Sequence, residues 1–220
     1  LEYTPFPATV CGYLCPNLCM QNCTRHLVSL EPVDVKLLGQ ASLAAKEPAR
    51  KPETGKKVAV IGGGAAGLSV AWQLWMAGHE ASIIEGRKQL GGKITDSIPK
   101  SRIPGEVVKH EIRRLSEHIQ QARLGKPLTK DQFSELKNVY DYIVIATGAS
   151  TPRKLKVPGM EKAVSALEFL RQSKLDCAKV GENVVIIGAG NVGCDAATEA
   201  YRLGAKSVML IDGQEPASFG

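Results

Sequence analysis

Two glycine-rich turns constrain the fold of this chain more than any other feature. The first is Gly62-Gly63-Gly64-Ala65-Ala66-Gly67, which fits the pattern G-x-G-x-x-G and follows an apolar run at 57–61. The second is Gly188-Ala189-Gly190-Asn191-Val192-Gly193, which follows a similar run at 183–187. Such a run is typical of a strand in a parallel sheet, and a helical pattern follows each turn. We therefore predict an α/β fold that contains two Rossmann-type units.

Each predicted unit ends its second strand in an acidic residue. Glu85 closes the strand predicted at 81–85, and Asp212 closes the strand predicted at 207–212. In such a unit the glycines let the backbone approach a pyrophosphate, and the helix N-terminus attracts the phosphates. The carboxylate can accept hydrogen bonds from ribose hydroxyls. The predicted dinucleotide contacts are therefore Gly62, Gly64, Ala65, Ala66, Gly67 and Glu85 in the first unit, and Gly188, Gly190, Asn191, Val192, Gly193 and Asp212 in the second.

The acid of the second unit bears on the choice of nucleotide. A carboxylate at the position of Asp212 accepts the 2′-hydroxyl of NAD and repels the 2′-phosphate of NADP, for which an arginine is the usual partner. No Arg or Lys follows Asp212 in the sequence. The sequence therefore favours NADH over NADPH, and an arginine from beyond Gly220 would reverse this preference.

The chain divides into three predicted regions. A helical, cysteine-rich segment occupies residues 1–50, the first Rossmann-type domain occupies 56–152, and the start of a second domain occupies 153–220. The polar stretch 47–55, which contains two prolines, is typical of a linker. The remaining predicted elements are a helix at 68–77 that Gly78 ends, an amphipathic helix at 106–120, a buried strand at 141–146 and a helix that ends at Leu203 and Gly204.

Composition narrows the classes of function. Apolar content of 44% and charged content of 23% are ordinary for a globular protein, and no secretory signal is visible, so we expect a cytoplasmic protein. The uncharged run 58–79 is long enough to span a membrane, but glycines break it, so we predict no membrane insertion.

The net charge is +6, and basic residues at 100–126 and 153–156 form either a solvated surface or a docking surface for an acidic redox partner. Aromatic content of 5% argues against nucleic-acid binding.

Four of the six cysteines are crowded near the start of the sequence. Cys11, Cys15, Cys19 and Cys23 follow the spacing C-x₃-C-x₃-C-x₃-C, which would place the sulfurs along one side of a helix. Zinc sites usually contain C-x₂-C pairs, whereas iron–sulfur clusters accept thiolates at varied spacings. The spacing therefore favours iron–sulfur ligation, and free thiols are the alternative.

Several further motifs lie along nearly the whole sequence. They are Pro5-Phe6-Pro7, Glu31-Pro32-Val33-Asp34-Val35, Leu90-Gly91-Gly92-Lys93 with Ile98-Pro99 and Arg102-Ile103-Pro104, Ala146-Thr147-Gly148-Ala149 with Pro152-Arg153 and Val157-Pro158-Gly159, and Gly190-Asn191-Val192-Gly193-Cys194-Asp195. Together with the cysteines and the two turns, these motifs resemble the small (beta) subunit of glutamate synthase and its relatives, which include the N-terminal half of dihydropyrimidine dehydrogenase.

The resemblance implies a role for each matching position. The first turn and Glu85 would hold the adenosine diphosphate part of FAD, and the second turn would hold a nicotinamide dinucleotide. Gly92, Lys93 and Arg102 would lie along the pyrophosphate and the flavin side, while Thr147 and Gly148 would close over FAD. The four cysteines would share two [4Fe–4S] clusters with an upstream cysteine group.

The sequence departs from the family at several points. The Gly-Val pair before the strand expected at 118–124 is missing, and Asp212-Gly213 replaces the basic residues that follow the second nucleotide strand. An upstream cysteine group and a C-terminal return to the FAD domain are not part of this sequence, which begins at Leu1 and not at Met. We therefore expect a fragment of a longer protein.

The predicted function is electron entry into a flavin-dependent oxidoreductase. NAD(P)H would reduce FAD, and the electrons would pass through iron–sulfur clusters to a larger catalytic or electron-accepting subunit, or to a ferredoxin-like protein. This chemistry belongs to the cofactors, so no catalytic side chain is predicted. No cysteine follows Gly92 before Cys177, so an exit through a redox dithiol is not expected. The alternatives are a nucleotide-binding scaffold without turnover and a flavin oxidase that uses a single cofactor.

Overall fold

The computed structural model describes residues 8–41, 44, 46, 49–149, 151–152 and 155–213. The backbone forms two compact units. The first unit contains the residues up to Thr95 together with Arg102–Gly148, and the second contains Asp96–Ser101 together with the residues from Ala149 onward. None of the helices in the described part of the chain is long and apolar enough to cross a membrane.

The cysteine-rich segment of the first unit is helical but interrupted. The helices α1 and α3 pack against each other, and Pro16 and Asn17 separate α1 from α2, with Asn17 in the left-handed region at φ 59°. The elements are α1 Ala8–Leu14, α2 Leu18–Gln21, a short 3₁₀ helix Thr24–Val28 and α3 Val35–Ala41. The motif Pro5-Phe6-Pro7 and part of the predicted linker, at Glu47 and Pro48, lie outside the described residues.

A parallel sheet of four strands in the order β3-β2-β1-β4 forms the centre of the first unit. The central strands β1 and β2 are apolar and buried, as their sequences predict, and α4 packs against both. The elements are β1 Lys57–Ile61, α4 Ala65–Met76, β2 Glu80–Glu85, α5 Lys93–Asp96, α6 Gly105–Ser116, β3 Gln121–Leu124, α7 Lys130–Leu136 and β4 Tyr142–Ile145.

The strand predicted at 141–146 is present, but the prediction that it is buried is wrong. Within the described sheet, β4 pairs only with β1 and forms an edge. The side chains of Tyr142 and Ile145 are 60% and 67% exposed as a result. An apolar run has the same sequence signature in an edge strand as in a central strand, so the sequence could not separate the two positions.

The second unit repeats the strand, turn, helix and strand order in its described part. β5 and β6 pair in parallel, α9 packs on both strands, and α8 packs on α9. Ala196 and Ala200 are buried on α9. The elements are a 3₁₀ turn Met160–Lys162, α8 Ala166–Lys174, β5 Asn183–Ile187, α9 Asn191–Arg202 and β6 Ser207–Ile211.

The outer glycines of each turn are required by the packing of the chain itself. Gly62 and Gly188 adopt φ values of 108° and 104°, a region that side chains disfavour. Gly67 and Gly193 begin their helices so close to the preceding turn that a Cβ would overlap the carbonyl oxygen of Gly62 or Gly188. The fold therefore requires these four glycines before any ligand is considered.

Replacing Gly67 by Ala should lower the free energy of unfolding of the first unit by about 1–3 kcal/mol, because the new methyl group overlaps the Gly62 carbonyl. Urea unfolding of the purified protein measures the change. Gly64→Ala is the matched control, since its Cβ would lie 3.9 Å from the Gly92 Cα, an ordinary contact, and its φ is −78°. An equal loss in both variants would contradict this packing argument.

Candidate functional site

The first glycine turn is anchored by the main chain to the end of β2. The Gly62 N–H donates to the Ile84 carbonyl at 2.8 Å and so continues the sheet by one residue. The Gly63 N–H donates to Oε2 of Glu85 at 2.6 Å, and the Arg87 N–H donates to Oε1 at 2.8 Å. The predicted acid therefore holds the turn, and each of its oxygens keeps a free lone-pair direction for a hydroxyl donor.

The helix α4 starts directly from this turn and has an open N-terminus. Gly64 is the N-cap residue, and among the described residues no side chain caps its helix. The contrast within the same unit is α7, where Thr129 and Gln132 form a reciprocal capping box at 3.3 and 3.2 Å. The first N–H groups of α4, at Ala65 and Ala66, have no acceptor inside the helix and carry its partial positive charge, which suits a phosphate.

The predicted glycine pair packs against the first turn. The Gly91 N–H donates to the Gly63 carbonyl at 2.7 Å. Gly92 adopts φ 53°, and a Cβ at that position would lie only 2.9 Å from the Gly64 Cα. The structure therefore brings Gly92 beside the uncapped N-terminus of α4. The backbones of Gly64 and Gly92 line a space that a side chain at Gly92 would fill.

The second turn repeats the same arrangement in the second unit. The Gly188 N–H donates to the Ile211 carbonyl at 2.7 Å, and the Ala189 N–H donates to Oδ2 of Asp212 at 2.6 Å. Gly190 is the N-cap of α9, and no side chain in the described part of the chain caps that helix. The remaining predicted contacts, Asn191 and Val192, are exposed in its first turn.

The middle glycine of each turn is the one that the fold does not require. Gly64 and Gly190 have φ values of −78° and −70°, which any residue adopts. A Cβ at Gly64 would make only an ordinary contact, and no atom of the described residues lies within 4 Å of a Cβ at Gly190. The space beside these two glycines is therefore open to a ligand that approaches the main chain.

A cavity of about 490 Å³ lies at the carboxyl edge of the first sheet. Its lining includes the predicted site residues Gly62, Glu85 and Thr147, together with apolar side chains such as Leu128 and Phe133. The cavity therefore combines a carboxylate with an apolar wall, which is typical of a pocket for a partly apolar ligand.

The other residues that the resemblance places on the flavin side are Lys93, Arg102, Thr147 and Gly148, and they do not share one environment. Lys93 is exposed in the first turn of α5, and Thr147 and Gly148 are exposed after β4. One guanidinium nitrogen of Arg102 lies 3.4 Å from the Leu14 carbonyl, next to Cys15 in the cysteine-rich segment. The structure thus connects Arg102 to the cysteine-rich segment, a contact that the sequence did not indicate.

The four cysteines do not form a complete metal site by themselves. All of them are free thiols, and the described residues contain no group of three or more His, Cys, Asp or Glu side chains that could hold a metal ion. Because the segment breaks at Pro16, the sulfurs do not lie along one continuous helix. Burial raises the pKa of the Cys11 thiol, whereas backbone N–H groups of Val33 and Arg25 lower the pKa of Cys23.

Sequence analysis missed several residues around the first turn. The capping box of α7 has the visible signature T-x-x-Q at 129–132, so that helix could have been found. Leu128 and Phe133 have no such signal, because nothing local indicates that their loop and helix border the turn. Gly63 is buried and supplies the N–H that binds Glu85, a role that the pattern leaves to an arbitrary residue.

Two parallel strand–turn–helix–strand units, each with an acid that anchors its turn, define a dinucleotide-binding α/β protein. The family described as pyridine nucleotide-disulphide oxidoreductase matches this chain over residues 34–123 and 56–217. The chain belongs to that family. The family is one of oxidoreductases, and it implies FAD and a pyridine nucleotide as cofactors.

Comparison with curated proteins confirms the resemblance to the glutamate synthase small subunit. The glutamate synthase [NADPH] small chain of Bacillus subtilis is 31% identical over 221 residues, which cover 90% of this chain and 44% of that protein. The NADP(+)-dependent formate dehydrogenase subunit beta of Moorella thermoacetica is 32% identical over 242 residues, which cover 93% of this chain and 34% of that protein. The chain therefore spans less than half the length of these relatives.

A solved structure supports the same fold. FprA from Mycobacterium tuberculosis in complex with NADPH aligns with a TM-score of 0.64 at 17% identity, over 75% of this chain and 45% of FprA. At that identity the likeness concerns the α/β fold alone.

Replacing either acid by alanine should make the turn that it anchors less stable. Glu85→Ala deletes the acceptor of the Gly63 N–H, and Asp212→Ala deletes the acceptor of the Ala189 N–H. Hydrogen bonds to a charged group contribute about 1.5–3 kcal/mol, so amide exchange in the affected turn should become about tenfold faster or more. Hydrogen–deuterium exchange measures both turns, and each variant serves as the control for the other. Faster exchange in the turn whose acid is unchanged, or in neither turn, would contradict the role that we assign to these hydrogen bonds.

Proposed function

We propose that this chain is the electron-entry part of an NAD(P)H-dependent flavin oxidoreductase, with FAD at the first turn and a nicotinamide dinucleotide at the second. One observation carries the proposal. In both turns the middle glycine, Gly64 or Gly190, has room for a side chain at an uncapped helix N-terminus, although the fold does not need glycine there. A pyrophosphate that approaches the main chain explains this choice of residue in both places.

The residues of the chain hold and orient the two dinucleotides. In the first unit, the open amides of Ala65 and Ala66 would bind the pyrophosphate beside Gly92, while Glu85 would accept the ribose hydroxyls. When bound, FAD supplies the conversion between two-electron transfer from a nicotinamide and one-electron transfer to later acceptors. The apolar wall of the cavity in the first unit would exclude water from the part of the ligand that enters it.

The relatives suggest where the electrons go after they reach the flavin. Their names describe a small chain and beta subunits, so we propose that this protein also acts with a larger catalytic or electron-accepting partner. Glutamate synthesis is the reaction that the small-chain relative suggests. We propose Cys11, Cys15, Cys19 and Cys23 as iron–sulfur ligands that act together with ligands from elsewhere, because they do not complete a site alone.

The proposal is tested by an anaerobic titration of the purified protein with NADH and NADPH, while the flavin absorbance and the iron content are measured. NADH should bleach the flavin. Gly190→Val should abolish bleaching by NADH but leave the FAD content and the reduction by dithionite unchanged, because its side chain fills only the second turn. Gly64→Val should lower the FAD content.

A matched control and two alternative outcomes complete this test. Gly181→Ala lies in the same unit as Gly190 but outside the turn, and it should behave as the unchanged protein. Bound FAD that neither nucleotide reduces would point to a flavin oxidase with one cofactor. Bound nucleotides without any flavin reduction would point to a scaffold, and either result would overturn the proposal.

The charge of Asp212 should make the protein prefer NADH. Asp212→Asn keeps an oxygen that can accept the Ala189 N–H but removes the charge that would repel a 2′-phosphate. The ratio of kcat/KM for NADH over NADPH should therefore fall at least about tenfold, which corresponds to roughly 1.4 kcal/mol. Steady-state kinetics with both nucleotides measures the ratio. An unchanged ratio would show that Asp212 does not select the nucleotide.

A further inference from the structure

A short segment leaves the first unit and returns to it. Asp96–Ser101, which we call the strap, is preceded and followed in sequence by residues of the first unit, but its backbone contacts place it in the second unit. Ser97 and Pro99 of the strap are buried. The strap is therefore packed as part of the second unit, where two side chains of the neighbouring helices hold it.

The first anchor of the strap is a buried carboxylate on α9. Glu199 is 4% exposed, and its Oε2 accepts hydrogen bonds from the Ser173 hydroxyl at 2.5 Å and from Nε of Arg202 at 2.9 Å. Its other oxygen, Oε1, lies 3.5 Å from the Ser101 hydroxyl of the strap. Burial alone would raise the pKa of the Glu199 carboxyl, but the bonds from Arg202 and Ser173 outweigh burial and keep that pKa below its usual value.

The second anchor is a lysine on α8. Nζ of Lys174 donates to the Ile98 carbonyl of the strap at 2.7 Å. Burial, followed by the nearby charge of Lys100, lowers the pKa of Lys174 to about 8. Lys100 in turn pairs with Asp176 at 2.9 Å, an exposed contact that contributes little.

One helix joins these anchors to the second glycine turn. α9 begins at Asn191, directly after Gly190, and it carries Glu199 and Arg202 in its last turns. Helix formation is cooperative, so a ligand that orders the first turn of α9 also reduces fraying at its other end. Glu199 is bound to Ser173 on α8, next to Lys174, so both anchors depend on how firmly α9 is held.

We propose that the strap is coupled through α9 to the second turn, so that binding of a pyridine dinucleotide at Gly188–Gly193 stabilises the packing of Asp96–Ser101. This inference rests on the proposed nucleotide site. In sequence the strap lies between Lys93 and Arg102, both of which the family resemblance places on the flavin side. Nucleotide occupancy would therefore be communicated to a segment that is bonded directly to Arg102 and follows Lys93 after two residues.

Hydrogen–deuterium exchange of the whole protein with and without NAD⁺ tests the coupling, because NAD⁺ binds without reducing a flavin. Two peptides are monitored, one that covers the strap and one that covers the second turn. Coupling between two sites commonly amounts to fivefold or more, so NAD⁺ should slow exchange in the strap by about fivefold while it protects the turn.

Three variants separate coupling from a general loss of structure. Glu199→Gln and Lys174→Met each break one anchor, and either should abolish the protection of the strap by NAD⁺ while the turn remains protected. Lys174→Met keeps the apolar part of the side chain and serves where Glu199→Gln does not fold. Glu168→Gln is the matched control, because Glu168 also pairs with an arginine three residues later but is exposed and accepts its hydrogen bonds from Arg171 and Gln172 of its own helix.

The outcomes distinguish this inference from the proposed function. If NAD⁺ protects the turn but leaves the strap unchanged, or if either folded anchor variant keeps the protection of the strap, the coupling is overturned while the nucleotide site stands. If NAD⁺ protects neither peptide, the coupling is overturned together with the nucleotide site of the second unit. The FAD content of the same sample then reports separately on the first unit.

Discussion

Each glycine turn of this protein is held by a hydrogen bond between its own main chain and the carboxylate that ends the neighbouring strand. Glu85 accepts the Gly63 N–H, and Asp212 accepts the Ala189 N–H, both at 2.6 Å. The parallel register places the ends of paired strands at one edge of each sheet, which brings the acid within reach of the turn. A turn held in this way keeps the first amides of its helix together, so both dinucleotides that we propose depend on this bond.

The glycines within each turn have different functions. The outer pairs, Gly62 with Gly67 and Gly188 with Gly193, are set by backbone conformation and by the close packing of helix on turn. The middle glycine has an ordinary conformation in both units, and a Cβ there would make at most one ordinary contact. A pattern that looks uniform in sequence is therefore partly a requirement of folding and partly a requirement of binding, and only the second part bears on function.

Parts of the structure that depend on distant neighbours were beyond sequence reasoning. The run at 141–146 has the composition of a buried strand, yet β4 is an edge of the described sheet and exposes Tyr142 and Ile145. Glu199 is one of two acids on an amphipathic helix, and nothing in the sequence shows that it is buried against Ser173. The position of the strap in the second unit is likewise invisible, because the strap is continuous in sequence with the first unit.

The sequence alone determined the α/β class, the position of both turns, the acid that closes each unit and the family resemblance, because each of these depends on local order and spacing. Local patterns suffice there, since a strand, a glycine turn and a helix are specified by residues that are neighbours along the chain. Only the tertiary structure decided that Gly92 packs beside Gly64, that Arg102 contacts the cysteine-rich segment, and that Asp96–Ser101 is held by Glu199 and Lys174. These contacts join residues that are far apart in sequence, and their partners are set by how the elements pack.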